Sequence, residues 1–304
     1  MQSSLPIEIS IVSPVYRAEK IIDELVRQII FNVEQVTPNF EIILVEDASP
    51  DNSWNKIEHN CNSDKRVKGV KLNKNYGQHN AIAAGLYAST GNYVVVMDCD
   101  LQDNPKYISS LYSKAKEGYE IVYTLKDERN HDVLKNLTAN LYFVLYNYVA
   151  GYKAYNQLVG AYSMLSKSCV DQFIKIKNDN HHFLQVLYLT KKKSSHIYVH
   201  HDARFEGTSS YTYTKLLKHA FKGLASQYER IRKLFIRTFI LSLIVATFFL
   251  YLFFRYNNSI WYLLPVFILA ITIVFSAYMV IYMNRLIQNK VKSLFEISQK
   301  INFQ

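Results

Sequence analysis

The 304-residue chain has no Gly-x-x-x-x-Gly-Lys-Ser/Thr loop and no Gly-x-Gly-x-x-Gly after its first strand-like segment. Both gaps argue against a P-loop ATPase and a dinucleotide oxidoreductase. Cysteine is scarce: Cys61, Cys99 and Cys169 are odd in number and lack metal-type spacing, so reduced thiols are expected. The opening MQSSLPIEIS has neither a basic n-region nor an apolar h-region, and nothing in it signals export. Internal repeats and low-complexity linkers are absent as well. Charge is missing from two long apolar runs, 238–254 and 260–283, separated only by Arg255-Tyr256-Asn257-Asn258-Ser259. A bilayer core takes roughly 20 helical residues to cross, and both runs qualify once 234–235 extend the first and Arg237 snorkels. A transmembrane hairpin is expected.

The formal charge of +10 is placed in a way that argues against a nucleic-acid partner. Lys215, Lys218, Lys222, Arg230, Arg232, Lys233 and Arg237 crowd the approach to the first span, and Arg285, Lys290 and Lys292 follow the second. By the positive-inside rule both flanks, both termini and the large N-terminal region are cytoplasmic, with the short connector outward. Such basic residues also attract anionic headgroups.

Along the first half, strand patterns alternate with helical ones. Glu8 to Ser13 reads as a strand stopped by Pro14, followed by a helix carrying Ile21, Ile22, Leu25, Ile29 and Val33 at helical spacing. Strands over 41–45, 67–72 and 93–97 alternate with helices from about Ser53 and over 78–89. That alternation predicts an α/β fold with right-handed crossovers and a parallel sheet. Further on, the pattern predicts a helix after Asn104-Pro105, a strand over 120–124, helices over 133–149 and 182–190, and a short strand over 195–200. Leu216, Leu217, Ala220, Phe221 and Leu224 give 212–233 one apolar face and the lysines another, as in an interfacial helix. The resulting division is a cytoplasmic catalytic domain 1–211, the interfacial helix 212–233, spans 234–254 and 260–283, and a tail 284–304.

Two acidic turns carry the chemistry. Strand Tyr93-Val94-Val95-Val96-Met97 runs into Asp98-Cys99-Asp100-Leu101-Gln102-Asp103, delivering two carboxylates to a strand's C-terminal end, where open α/β sheets bind ligands. Hard oxygen donors one residue apart suit a divalent cation beside a diphosphate, and Cys99 between them is read as turned inward. The other turn, Glu46-Asp47-Ala48-Ser49-Pro50-Asp51, follows the second strand; its Asp51, before Asn52-Ser53, is read as a helix cap. His181-His182 and His200-His201 point to opposite faces if extended and are read as structural or surface residues.

Ser13-Pro14-Val15-Tyr16-Arg17-Ala18-Glu19, Val45 to Asp51, Asn75-Tyr76-Gly77-Gln78 with Ala81 and Gly85, and Asp98 to Asp103 stand in order and spacing that resemble a family-2 glycosyltransferase of GT-A fold. Arg204-Phe205-Glu206-Gly207-Thr208-Ser209-Ser210-Tyr211 resembles the signature of its polyprenyl-phosphate branch. The resemblance implies a mixed, mainly parallel sheet flanked by helices. It also implies transfer of a sugar from a nucleotide-sugar donor to undecaprenyl phosphate or a similar lipid, with inversion, at the cytoplasmic (inner) membrane. Pro14, Tyr16, Glu19 and Asp47 would surround the nucleotide, with Asp98 on the nucleotide-sugar. Asp98, Asp100 and Gln102 would hold Mg2+ or Mn2+. Lys126 and Arg129 would serve catalysis and the acceptor phosphate together with Asp100, and Arg204, Ser209 and Tyr211 the acceptor loop. A homo-oligomer, a tetramer, is implied, as is a product for cell-envelope or O-antigen glycan.

One departure stands out. Where many relatives have Gly-Asp-Phe-Arg-Leu, this chain has Gly160-Ala161-Tyr162-Ser163-Met164, so the acid often proposed as base is missing. A phosphate acceptor, largely ionised at neutral pH, needs little help from a base. Asp127 and Asp132 are nearby in sequence. Two rivals are weighed. A processive polysaccharide synthase would carry Gln-x-x-Arg-Trp and more spans, and a non-catalytic nucleotide-binding scaffold would fit Ala161 and Ser163 but not the intact acidic turns.

Overall fold

A computed structural model describes residues 6–126, 159–176, 182–200, 228–256, 263–288 and 295–303. Outside these lie the expected helix 133–149, Asp127, Arg129, Asp132, Arg204, Ser209, Tyr211, residues 212–227 of the interfacial helix and the outward connector from 257.

The described strands and helices follow the chain as β1 (Ile9–Val15), α1 (Ile22–Val33), β2 (Phe40–Glu46), α2 (Ser53–Ser63), β3 (Val67–Leu72), α3 (Gln78–Ala88) and β4 (Tyr93–Val96). A 3-10 turn (Pro105–Tyr107) then leads into α4 (Ile108–Lys116), β5 (Ile121–Lys126), β6 (Val159–Ser166), α5 (Lys167–Ile176), α6 (Phe183–Leu189) and β7 (Ser194–Val199). Last come α7 (Tyr228–Arg255), α8 (Leu263–Gln288) and β8 (Ile297–Ile301).

The eight strands form one sheet in the order β7-β5-β6-β4-β1-β2-β3-β8. β1 pairs in parallel with β2 and β4, β2 with β3, and β5 with β7, while β6 runs antiparallel to β4 and β5 and β8 antiparallel to β3. The mixed, mainly parallel α/β architecture is the expected one. Every residue of β1 and β2 is buried, as strands covered on both faces must be, which is why both read as near-continuous apolar runs. α1, α2 and α4 cover one face through Leu25, Ile57 and Leu111; α3, α5 and α6 cover the other through Ala84, Phe173 and Phe183. α3 approaches closely because residue 85 is glycine: a Cβ there would overlap the Val12 side chain.

Pro14 does not end β1, contrary to the sequence reading. Glu8 and Val12 accept from Tyr93 and Met97 on the β4 side, whereas Val15 accepts from Asp47 on the β2 side. Pro14 therefore faces β4 just beyond the last rung, where no N–H is required. The missing donor marks the point where β1 and β4 part. β6 and α5 were not anticipated as elements. β8 corrects the reading of 284–304 as a tail: Ser298 Oγ donates to the Lys71 carbonyl at 3.0 Å, and Asn302 Nδ2 reaches the carbonyls of Cys61 and Val67 at 2.7 and 2.8 Å. With only two apolar residues and a partner some 230 positions away, such an edge strand has no local signature.

α7 and α8 form a separate helical unit. Arg232 bonds Asn284 at 3.0 Å, Thr238 meets Ser276 at 3.3 Å and Thr272 donates to Ser242 at 3.1 Å, a descending register that makes the pair antiparallel. The most apolar 18-residue windows within 230–255 and 263–285 have mean hydropathies of 2.1 and 2.5, and at 1.5 Å per residue the two stretches are about 39 and 35 Å long, enough to cross a membrane. Their large apolar side chains face outward, Leu241, Phe267 and Val274 being 62, 66 and 69% exposed. A water-soluble core would bury that surface; a bilayer solvates it. α7 is continuous from Tyr228, so no break separates 228–233 from the span.

Candidate active site

The turns after β1, β2 and β4 meet at the C-terminal edge of the sheet. Each holds one non-glycine residue in the left-handed region: Arg17 (φ 55°), Ala48 (φ 49°) and Leu101 (φ 58°). Left-handed backbone is costly for such residues and persists where surrounding contacts enforce it.

Those contacts are explicit. Ser49 Oγ accepts from the Arg17 N–H at 2.8 Å, Ser53 Oγ from the Ala18 N–H at 3.0 Å and Asp51 from the Glu19 N–H at 3.3 Å. Asp51 in turn accepts from the Ser49 and Ser53 hydroxyls at 2.5 and 2.6 Å and from the Ser53 N–H at 3.2 Å. Burial raises the Asp51 carboxyl, but these bonds outweigh it and hold the group below its ordinary value. Asp51 thus ties two turns together, a helix-entry role. Glu19 joins the same knot by accepting from Asn52 at 3.3 Å. Tyr16 stands at the rim, 44% exposed, with the Arg17 guanidinium 5.6 Å from its ring centre.

Asp47 is 3% exposed and accepts from the Tyr76 and Gly77 N–H groups at 2.7 and 2.8 Å, one on each carboxylate oxygen. Its carbonyl accepts from Asn75 Nδ2 at 3.1 Å. Burial pushes the carboxyl above its ordinary range and the two N–H groups counter only part of that. Asp47 therefore fixes the Asn75-Tyr76-Gly77 loop, where Gly77 supplies φ 86° at the entrance to α3.

The acidic turn after β4 is bound to that same loop. Gln78, the first residue of α3, donates from its side-chain amide to Asp98 Oδ1 at 2.6 Å. The Asp98 N–H is received by Asp103 at 3.1 Å, and the Gln102 N–H donates to Asp100 Oδ1 at 3.2 Å. Cys99 turns inward: it packs against the core and takes the Tyr16 N–H on sulfur, and burial with the Asp98 and Asp100 charges pushes its thiol up to about 12. A protonated thiol is no ligand for a hard cation. Among the described residues no three His, Cys, Asp or Glu side chains converge as a metal cluster. Asp98 and Asp100, both half-exposed carboxylates, are hard oxygen donors of the kind that would hold a divalent cation.

On the β5–β6–β7 side, the Tyr162 hydroxyl donates to the Asn104 carbonyl at 3.0 Å, and the Tyr107 hydroxyl accepts the His200 N–H at 3.0 Å. Both bonds bind the stretch after Asp103 to neighbouring strands. Lys126 ends β5 at the same edge of the sheet. The structure thus gathers Tyr16, Glu19, Asp47, Asp98, Asp100 and Gln102 in adjoining turns, with Pro14 near the end of β1, while Arg129, Arg204, Ser209 and Tyr211 lie outside the described residues. Gln78 was missed as an individual site residue; the signal was the glycine before the helix, which starts α3 beside the acidic turn.

A family model described as glycosyl transferase family 2 matches residues 10–172. An undecaprenyl-phosphate 4-deoxy-4-formamido-L-arabinose transferase from Shewanella sediminis is 32% identical over 72% of this chain and 66% of its own length. An uncharacterized glycosyltransferase from Bacillus subtilis is 30% identical over 72% of this chain and 68% of its own. The chain thus spans about two thirds of the length of these relatives. Among solved structures, glucosyl-3-phosphoglycerate synthase from Mycobacterium tuberculosis, in complex with Mn2+, uridine diphosphate and phosphoglyceric acid, superposes with a TM-score of 0.55 at 15% identity, covering 73% of this chain and 78% of that one. By the family match over more than half its residues, the chain belongs to glycosyl transferase family 2.

Proposed function

We propose that the protein transfers a sugar from a nucleotide-sugar donor to undecaprenyl phosphate or a similar polyprenyl phosphate, with inversion, at the cytoplasmic face of the inner membrane. The observation that carries this is the pairing, in one chain, of the Asp98–Asp100 turn at a sheet's C-terminal edge with an apolar hairpin long enough to cross a membrane. The relative named for undecaprenyl phosphate supports the lipid acceptor. In this reading 1–211 form the catalytic domain, joined by β8 from 284–304; 212–233 lie in the interface, and 234–254 and 260–283 are the spans.

Asp98 and Asp100, with Gln102 closing their turn, hold a Mg2+ or Mn2+ ion, whose chemistry is to neutralise the departing diphosphate. Gln78 fixes Asp98, and Tyr16 borders the nucleotide. A phosphate oxygen of the acceptor attacks the anomeric carbon in line as the bond to the nucleoside diphosphate breaks, which inverts that centre. Lys126, Arg129, Arg204, Ser209 and Tyr211 align the anionic acceptor. A homo-oligomer, a tetramer by the family resemblance, belongs to this reading, and native mass spectrometry in detergent checks it.

The test is to incubate the purified full chain with undecaprenyl phosphate, Mg2+ or Mn2+ and a panel of sugar nucleotides, and to seek glycolipid by mass spectrometry. Product with one donor is expected. Tight nucleotide binding without product from any donor would favour the non-catalytic scaffold.

A further inference from the structure

β8 reaches past the edge of β3. Its register sets Ile297 opposite Leu72, and one residue further the Asn73 N–H donates to the Glu296 carbonyl at 3.1 Å, so the pairing runs into the loop that leads to α3. Phe295 lies edge-on to Tyr87 of α3 with ring centres 5.7 Å apart, and Phe295, Ile297 and Tyr76 all pack against the cluster that holds Ala81 and Ile82. The C-terminal segment therefore touches both the start of the 73–77 loop and the helix that follows it.

A relay of side chains begins at the same point. The Asn73 amide donates from Nδ2 to Glu296 Oε2 at 2.5 Å and accepts the Tyr76 hydroxyl on Oδ1 at 2.8 Å. With both ends of the amide engaged its orientation is fixed, and the carboxylate charge polarises it toward a stronger Oδ1 acceptor. Tyr76 is held from its backbone as well, since its N–H donates to Asp47, and two residues on Gln78 donates to Asp98. Asp47 grips the loop from the β2 side and Glu296 from the β8 side. Strand pairing alone would cover the β3 edge; the relay lies beyond the last paired residues and ends on the loop.

We propose that Glu296, from the segment that follows the second apolar helix, is a positioning residue for the sugar-nucleotide donor: through Asn73 and Tyr76 it holds the loop that joins Asp47 to Asp98, so the donor binds at full affinity only while β8 is seated. This rests on the transfer reading above for the identity of the donor end of the site. A loop fixed at both flanks has less freedom to lose when a ligand orders it, which favours binding.

The relay can be broken and then restored. In Asn73→Asp two carboxylates oppose each other at hydrogen-bonding distance; adding Glu296→Gln supplies an amide that donates to the introduced carboxylate, which still accepts the Tyr76 hydroxyl. The probe is the full chain with Mn2+ and the sugar nucleotide of a panel that the wild type binds most tightly, its Kd measured by titration calorimetry without lipid. Asn73→Asp is expected to raise that Kd about fivefold, and the double variant to return it to within about twofold of wild type. In turnover the donor KM should rise with it while the acceptor KM stays within about twofold. An unchanged donor Kd in Asn73→Asp, a rise that Glu296→Gln does not reverse, or an equal rise in acceptor KM overturns the proposal. A lower thermal midpoint with an unchanged donor Kd overturns it too, because β8 would then only seal the sheet. Should Asn73→Asp fold poorly, Glu296→Ala decides: a donor Kd raised about threefold supports the brace, and an unchanged one ends it. A wild type that binds no sugar nucleotide sinks the transfer reading and this inference together. One that binds the donor but makes no lipid product sinks the transfer reading alone, and the Kd series still decides the brace.

Discussion

The Gln78 side-chain amide donates to Asp98 Oδ1 at 2.6 Å and thereby joins the first turn of α3 to the acidic turn after β4. Since the preceding Gly77 donates its N–H to Asp47, one short loop spans the two acidic turns. Asp98 is thus oriented by a neighbour rather than by its own strand alone. Removing the amide in Gln78→Ala should cost about 1 kcal/mol in cation binding, roughly a fivefold higher Mn2+ requirement at half-maximal rate, because the bond is to a charged group but partly in solvent. Metal titration of activity measures this; an unchanged half-saturation point would count against it.

Asp100→Ala removes one of the two carboxylates and should abolish transfer while leaving the thermal midpoint within about 2 °C, since its side chain is half-exposed and outside the core. Product formation that survives the substitution would sink the metal assignment.

Asp47→Asn presents an amide NH2 where two backbone N–H groups already point. One of the bonds to Tyr76 and Gly77 is lost and two donors face each other, at a cost of about 2 kcal/mol. Urea denaturation should detect it, together with a higher KM for the sugar nucleotide as the 75–77 loop loosens.

At the opposite end of the sheet, buried Glu41 pairs with Lys68 at 2.6 Å and accepts from the Ser10 hydroxyl and the Thr90 N–H at 2.5 and 2.7 Å. Burial raises its carboxyl, but Lys68, Ser10 and Thr90 outweigh that and hold it below 4.5. Folded protein therefore binds fewer protons here than unfolded protein. This stabilisation is complete above the unfolded carboxylate value and is lost as pH falls through the folded one. Glu41→Gln should cost about 3 kcal/mol at pH 7 by leaving Lys68 without its counter-charge, and should flatten the acid limb of a stability-versus-pH curve. An acid limb identical to wild type would refute the assignment.

Truncation before Phe295 deletes β8 and bares the β3 edge. The loss of its ladder and of the Asn302 bonds to Cys61 and Val67 should lower the midpoint by about 5 °C and promote association through the open edge, seen by size exclusion.

Much of this was legible in the chain because it is encoded locally. Fully buried β1 and β2 announce themselves as apolar runs, the hairpin as two uncharged stretches, and the Asp98 turn as carboxylates at a strand's end. What escaped detection depends on partners distant in sequence. β8 is two isoleucines around a polar centre until β3 lies beside it, and Pro14 reads as a stop until β4 is seen to end opposite it. The histidines were set aside because adjacent histidines in a strand cannot share an ion; His182 instead precedes a helix and meets His79, 103 residues earlier.

Residue types and their order fixed the family, the sheet's central strands and the two long apolar helices, since hydrophobic period, turn chemistry and strand-end carboxylates act over a few residues. Only the tertiary structure decided the duties within the site: Asp47 and Asp51 brace turns, Cys99 faces the core, and Gln78 orients Asp98. The physical reason is that a carboxylate's role depends on which donors surround it, and those donors reach it from elements tens of residues away.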